Sequence, residues 1–203
     1  ASDWTSDVLV VKGDATITDA LVISGRKTLV VLNGNLKINN NITYANSATD
    51  SFGVIVLTQT PLTTYDAAKG NIFVNPSVQH LDGIFFSEGT FASHDGSNIV
   101  TSGSEKQLVL VGSLFSRNTL GGSVTSLKTG PNTGKYETPW GVVDTEDDAQ
   151  PYDLHLVRQF PGGTNCDDTS GSCDANEASF VIRLDGKASE LPPPGFESAE
   201  VIR

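Results

Sequence analysis

The chain has 203 residues, of which 37% are hydrophobic and only 18% charged, and its net charge is −11. That length supports one good-sized core, or one core with a small appendage. The acidic balance argues against nucleic acid or anionic lipid as a partner, and no stretch approaches the ~20 continuous apolar residues of a membrane-spanning helix. The charge is also uneven. Residues 1–136 carry nine basic and ten acidic groups, whereas residues 137–203 carry four and fourteen. Met is absent, which is compatible with a mature chain left after removal of a leader and equally with a trimmed one.

In chain order, residues 1–6 read as a loose lead-in, with Trp4 placed to cap an apolar column. Short strands follow closely: Val8–Val11, Ala15–Ile17, Leu21–Ile23, Leu29–Leu32, Leu36–Ile38 and Ile42–Tyr44. They leave almost no room for helix. Asn39-Asn40-Asn41 is a corner, read as a solvated turn in preference to a stacked ladder. Gly53–Leu57 is a fully apolar strand, and Thr58–Lys69, with Pro61, is a loop insertion. Asn71–Val74 and Val78–Phe86 form the richest strand pair, and Leu108–Val111 with Leu114–Phe115 the last clear one.

One phrase recurs through this region. It reads Gly13-Asp14-Ala15-Thr16-Ile17, then Gly34-Asn35-Leu36-Lys37-Ile38, then Gly70-Asn71-Ile72-Phe73-Val74. Looser copies begin at Gly83 and Gly112. Gly supplies the positive φ that a sharp corner needs, and Asn or Asp tolerate it better than other residues. Corners separated by short apolar strands predict a right-handed parallel β-helix over residues 1–120. A jelly roll or other β-sandwich offers similar strands and stays open as the alternative.

Residues 121–136 are rich in Gly and Pro and read as a connection. Residues 137–203 read as an acidic β-rich unit with strands at Tyr152–Val157 and Ser179–Leu184. Its Leu191-Pro192-Pro193-Pro194-Gly195-Phe196 segment cannot be helical; it either lies along the outside of the domain or acts as a linker. Between those strands sit Cys166 and Cys173. Two Cys without a nearby His make a poor zinc site, so a small disulfide ring and an oxidising compartment are expected.

Two acidic runs are candidates for calcium: Asp144, Glu146, Asp147, Asp148 and Asp153, then Asp167, Asp168, Asp174 and Glu177. Calcium prefers several carboxylate and carbonyl oxygens from pliant loops, but neither run has EF-hand spacing, so a solvated acidic surface is the default. Asp82, Glu88 and Asp95, with His80 and His94, are the only cluster resembling a glycosidase or lyase set. Their more economical reading is turn and outer-face polarity. No nucleophile elbow or phosphate-binding Gly loop accompanies them.

The segments NIFVNPSV, LDGIFFSEGTF, KQLVLVGSLFSRN and FVIRLDGKASELPPPGF resemble the β-helical surface modules of secreted bacterial proteins, some of them pilus- or cell-surface-associated. The first 45 residues are similar to bactofilin-type β-helices in rhythm only. The resemblance implies an extracellular, non-catalytic structural or adhesive module that associates with itself or with other surface proteins. A carbohydrate-active β-helix, such as a polysaccharide lyase, hydrolase or tailspike-like depolymerase, is the alternative it leaves open.

Overall fold

A computed structural model of the chain describes residues 4, 6–60, 62, 66–97, 106–116, 125–127, 135–138, 141–143, 180–186 and 190–196. They contain fifteen strands and no α-helix. These are β1 (Val8–Lys12), β2 (Ala15–Ile17), β3 (Leu21–Ile23), β4 (Arg26–Leu32), β5 (Leu36–Ile38), β6 (Ile42–Tyr44), β7 (Ser51–Leu57) and β8 (Ile72–Val74). They continue with β9 (His80–Ser87), β10 (Phe91–Ser93), β11 (Leu108–Ser116), β12 (Thr125–Leu127), β13 (Lys135–Thr138), β14 (Gly141–Val143) and β15 (Phe180–Arg183).

Two sheets of parallel strands are built by repeated passes of the chain. The larger runs β1-β4-β7-β9-β11-β15, with β3 pairing β6 and β6 pairing the start of β9. The smaller runs β10-β8-β5-β2. Each pass visits the larger sheet, then the smaller one, then returns, so strands of successive passes lie side by side in one direction. A third, antiparallel sheet, β12-β13-β14, spans 125–143, across the stretch that the sequence suggested as a connection and the start of the acidic unit.

Register turns the short apolar strands into columns. Leu29, Val54 and Phe85 align across three passes, and Val31 aligns with Val56. On the smaller sheet, Leu36, Ile72 and Phe91 align. Leu21, Ile42, Leu81, Leu110 and Ile182 make a further column. Side chains alternate faces along a strand, so one residue of slip would turn each column outward. Through the interior runs a chain of ring contacts: Trp4 to Phe52 at 5.8 Å, Phe52 to Phe85 at 6.5 Å, Phe85 to Phe91 at 6.3 Å and Phe91 to Phe180 at 6.3 Å. The first three are edge-on, the favoured aromatic geometry, and Trp4 is partly buried against the core.

The last part of the chain returns to this body. β15 pairs with Leu108–Val111 of β11. The Pro-rich segment then lies against the outer face of the larger sheet, where the Arg26 guanidinium donates through Nε (2.8 Å) and Nη2 to the Pro192 carbonyl. The Thr28 hydroxyl donates to the Pro194 carbonyl at 2.6 Å. Gly53 must be Gly here, because a Cβ would stand 2.3 Å from the Phe196 ring. Ile84 is buried beneath this strap, near Leu191 and Pro193, and not in the central core, since it alternates with the core residue Phe85. Leu110 does point into the core.

Gly83 and Gly112 are register partners, and a Cβ on Gly112 would lie 1.8 Å from the Gly83 carbonyl oxygen. The Gly112→Ala protein is expected to lose about 1–3 kcal/mol through forced separation of β9 and β11. Gly186→Ala, with open space at the added methyl, should stay close to the parent. Chemical denaturation of both variants checks this, and equal midpoints would show that the two strands separate at no cost.

Candidate functional site

The polar residues of the body collect at the corners between strands, where the ladder of backbone hydrogen bonds is interrupted. The recurring phrase builds the most regular of these corners. Asp14, Asn35, Asn71 and Thr90 occupy the position just before β2, β5, β8 and β10. Asp14 Oδ1 accepts the Asn35 N–H at 2.8 Å, Asn35 Oδ1 accepts the Asn71 N–H at 3.1 Å, and Asn71 Oδ1 accepts the Thr90 N–H at 2.9 Å. The Asn71 amide also donates to Asn35 Oδ1 and to the carbonyls of Asp66 and Lys69. Asn35 and Asn71 are buried, and a buried amide is tolerated only when its donors and acceptors are matched in this way.

Tight glycines make this stacking possible. A Cβ on Gly34 would lie 2.1 Å from the Gly13 carbonyl carbon, and Gly13 and Gly70 have φ of 88° and 83°. The fourth member of the series is therefore Gly89-Thr90-Phe91, not the phrases starting at Gly83 and Gly112, which belong to the larger sheet. Of the three consecutive asparagines, Asn39 and Asn40 are exposed. Only Asn41 reaches the next pass, accepting the Gln79 and His80 N–H groups at 2.9 and 3.1 Å.

The carboxylates at other corners do the same work. Asp50 accepts from the Gly25 N–H at 2.9 Å and the Asn46 N–H at 2.7 Å. Asp82 Oδ2 accepts the Tyr44 N–H at 2.8 Å, and its Oδ1 lies 2.7 Å from His80 Nε2. Glu88 Oε2 accepts the Thr58 N–H at 2.7 Å and its hydroxyl at 2.8 Å. Burial raises the Tyr44 phenol far above its usual range, and the surrounding carboxylates Asp185, Asp82 and Asp50 reinforce the shift, so the hydroxyl stays protonated.

Of the five candidate catalytic residues, His80 and Asp82 are hydrogen-bonded to each other, and Asp95 sits beside His94. Asp82 and Glu88 lie six residues apart along β9 and its continuation, which is roughly 20 Å of extended backbone. Paired glycosidase carboxylates stand about 5–10 Å apart. Asp95 Oδ1 accepts the Ser97 N–H in an exposed turn after β10, and His94 packs on Phe73 at 4.5 Å between ring centres. Among the described residues, no three His, Cys, Asp or Glu side chains come together in a metal-binding group, and no helix is long and apolar enough to cross a membrane. Cys166 and Cys173, and the calcium candidates Asp144, Glu146, Asp147, Asp148, Asp153, Asp167, Asp168, Asp174 and Glu177, lie outside the described residues.

Comparison of the chain with protein-family models, curated proteins and solved structures finds no match.

Two measurements probe the corners. Asn71→Ala would orphan the buried Thr90 N–H and the amide's other partners, and should cost about 2–4 kcal/mol as the sum of one to two unmade buried hydrogen bonds. Melting of Asn71→Ala at the parent's temperature would show that the stacked amides carry no stability.

His94 supplies a pH test. Burial lowers its pKa, nearby Lys37 lowers it further, and Asp95 opposes both. Its Nδ1 also accepts the Gly96 N–H at 2.9 Å, which requires an unprotonated nitrogen. The folded pKa lies below the unfolded value, so this stability is complete above about pH 6.5 and is lost as pH falls through the folded pKa. The melting temperature of the parent should therefore fall relative to His94→Gln on acidification. A constant difference between the two proteins would refute the assignment.

Proposed function

We propose that the passes are turns of a right-handed parallel β-helix, and that the protein is a non-catalytic structural or adhesive module of an extracellular bacterial surface or filament assembly. The observation that carries this reading is the use of the buried carboxylates. Asp50, Asp82 and Glu88 each accept a backbone N–H from an adjoining corner or pass. A general acid or base needs a carboxyl group facing a substrate across a groove. A carboxylate already holding a backbone amide is committed to maintaining the fold.

The surface chemistry supports the same reading. Low charge, many corners and a low share of aromatic residues (7%) describe a scaffold better than a sugar-binding groove lined with aromatic platforms. A disulfide between Cys166 and Cys173 would be consistent with export. Calcium held by the acidic runs would be an addition to this role, not a requirement of it.

The test pairs activity with location. Purified protein incubated with a panel of bacterial polysaccharides should release neither new reducing ends nor unsaturated sugars, and antibody should label intact cells of the source bacterium. Depolymerisation that is lost in Asp82→Asn at unchanged stability would replace this reading with the carbohydrate-active one.

A further inference from the structure

Beneath the Pro-rich strap, the larger sheet keeps a polar group that the fold itself does not satisfy. Ser51 opens β7 and is only 5% exposed, yet its Oγ is buried without a hydrogen-bond partner. Buried hydroxyls left unpaired cost stability, and folded proteins keep few of them. Side chains alternate along a strand, and Phe52 belongs to the core. Ser51 therefore belongs with Gly53 to the outer face, the one that the strap covers.

Ser51 borders a recess between that face and the strap. The recess has a volume of about 10 Å³, close to the room that one water molecule or one monatomic ion needs. Ser51, Tyr44 and Asp185 give it three oxygen-bearing side chains, and Ile84, Leu191 and Pro193 add apolar surface. A space of this size excludes a sugar or a peptide side chain. It suits a single small particle bound through oxygen.

The surroundings are negative. Burial raises the Tyr44 phenol above its usual range, a backbone hydrogen bond with Phe52 opposes the rise, and Asp185, Asp82 and Asp50 each add to it. Three carboxylates thus act on one phenol, and among the described residues no basic group is one of its principal influences. A water in the recess would satisfy the Ser51 hydroxyl but leave this field unchanged. A cation would answer both, and its attraction to the carboxylates is stronger where apolar walls hold bulk water away. Tyr44 and Asp185 have interactions of their own, and the site does not need them unpaired. A carboxylate offers about four lone-pair directions, and a phenol oxygen both accepts and donates.

We propose that this recess binds one small oxygen-seeking metal cation, with the Asp185 carboxylate, the Ser51 hydroxyl and the Tyr44 phenol among its ligands. The inference goes beyond the structural-module reading, and its residues are none of those in the two acidic runs. A single carboxylate among the three sets the affinity low. The position gives the ion a task. Tyr44 and Ser51 stand on β6 and β7, whereas Asp185 lies between β15 and the strap. A cation joining them fastens the root of the strap to the sheet, in addition to the Arg26 and Thr28 contacts further along.

The test melts the full chain, stripped of metal, while calcium chloride or sodium chloride replaces choline chloride at constant ionic strength. The melting temperature should rise and level off with at least one of the two salts, as binding to the folded state requires. A calcium response assigns a divalent ion, and a sodium response alone a monovalent one. Ser51→Ala should melt at or above the parent in metal-free buffer, because it removes an unpaired buried hydroxyl. It should nevertheless need at least about tenfold more salt to reach half of its rise. Asp185→Asn, similar in size but uncharged, should lose the rise. Both variants leave the acidic runs intact, so an ion held there would still act on them. A parent whose melting ignores both salts, or a response that survives unchanged in either variant, would overturn the proposal.

Discussion

The fold depends on one constraint: at every corner, the backbone leaves the sheet ladder while remaining close to neighbouring passes. A buried N–H without an acceptor costs about 1–3 kcal/mol, and a stack of passes multiplies such corners. The Asp14-Asn35-Asn71-Thr90 series answers this by giving the side chain of one pass the task of accepting the N–H of the next. Because each acceptor belongs to one pass and each donor to another, the series also fixes how the passes are aligned. A slip of one residue would break the amide series and turn the apolar columns outward together, so polar and apolar groups enforce the same register.

This division of labour accounts for the interior. The strands contribute Val, Ile, Leu and Phe to columns, and the corners contribute the buried Asn35, Asp50, Asn71, Glu88 and Thr90. Asp50, Asp82 and Glu88 are variants of the asparagine solution at other corners, Asp50 and Glu88 each accepting from two donors. The loop before Asp50 shows how insertions are absorbed. Asp50 holds both Gly25 from the previous pass and Asn46 within its own loop, so added residues are anchored without disturbing the strands on either side.

Much of this was legible in the sequence because the recurring phrase carries both requirements in adjacent letters. Its Gly permits close approach of two corners, its Asx supplies the acceptor, and the apolar alternation after it supplies a strand. Ala15–Ile17, Leu21–Ile23, Leu36–Ile38 and Ile42–Tyr44 were accordingly found to the residue. Thr90 was harder to recognise because it ends the series: it donates its N–H to Asn71 and need not carry an amide of its own. Ile84 marks a different limit of the pattern. Periodicity shows that a residue needs cover but does not say which side provides it, and the cover comes from a Pro-rich segment more than a hundred residues later. Asp82 and Glu88 are set apart because nearness in sequence along an extended strand becomes distance in space, roughly 3.3 Å for each residue.

The Pro-rich strap and the stacked corners solve complementary problems. Corner amides bind each pass to the next but cannot bind the last pass to the first, since every such contact is local. The strap reaches across the outer face, from the β15 end back to Arg26 and Thr28 of the second pass. Pro is suited to this because three consecutive prolines hold an extended shape before docking and need no N–H acceptors. Their carbonyls are then satisfied by a guanidinium and a hydroxyl from the sheet. The result is a stack held from pass to pass by its corners and tied along its outer face by the strap.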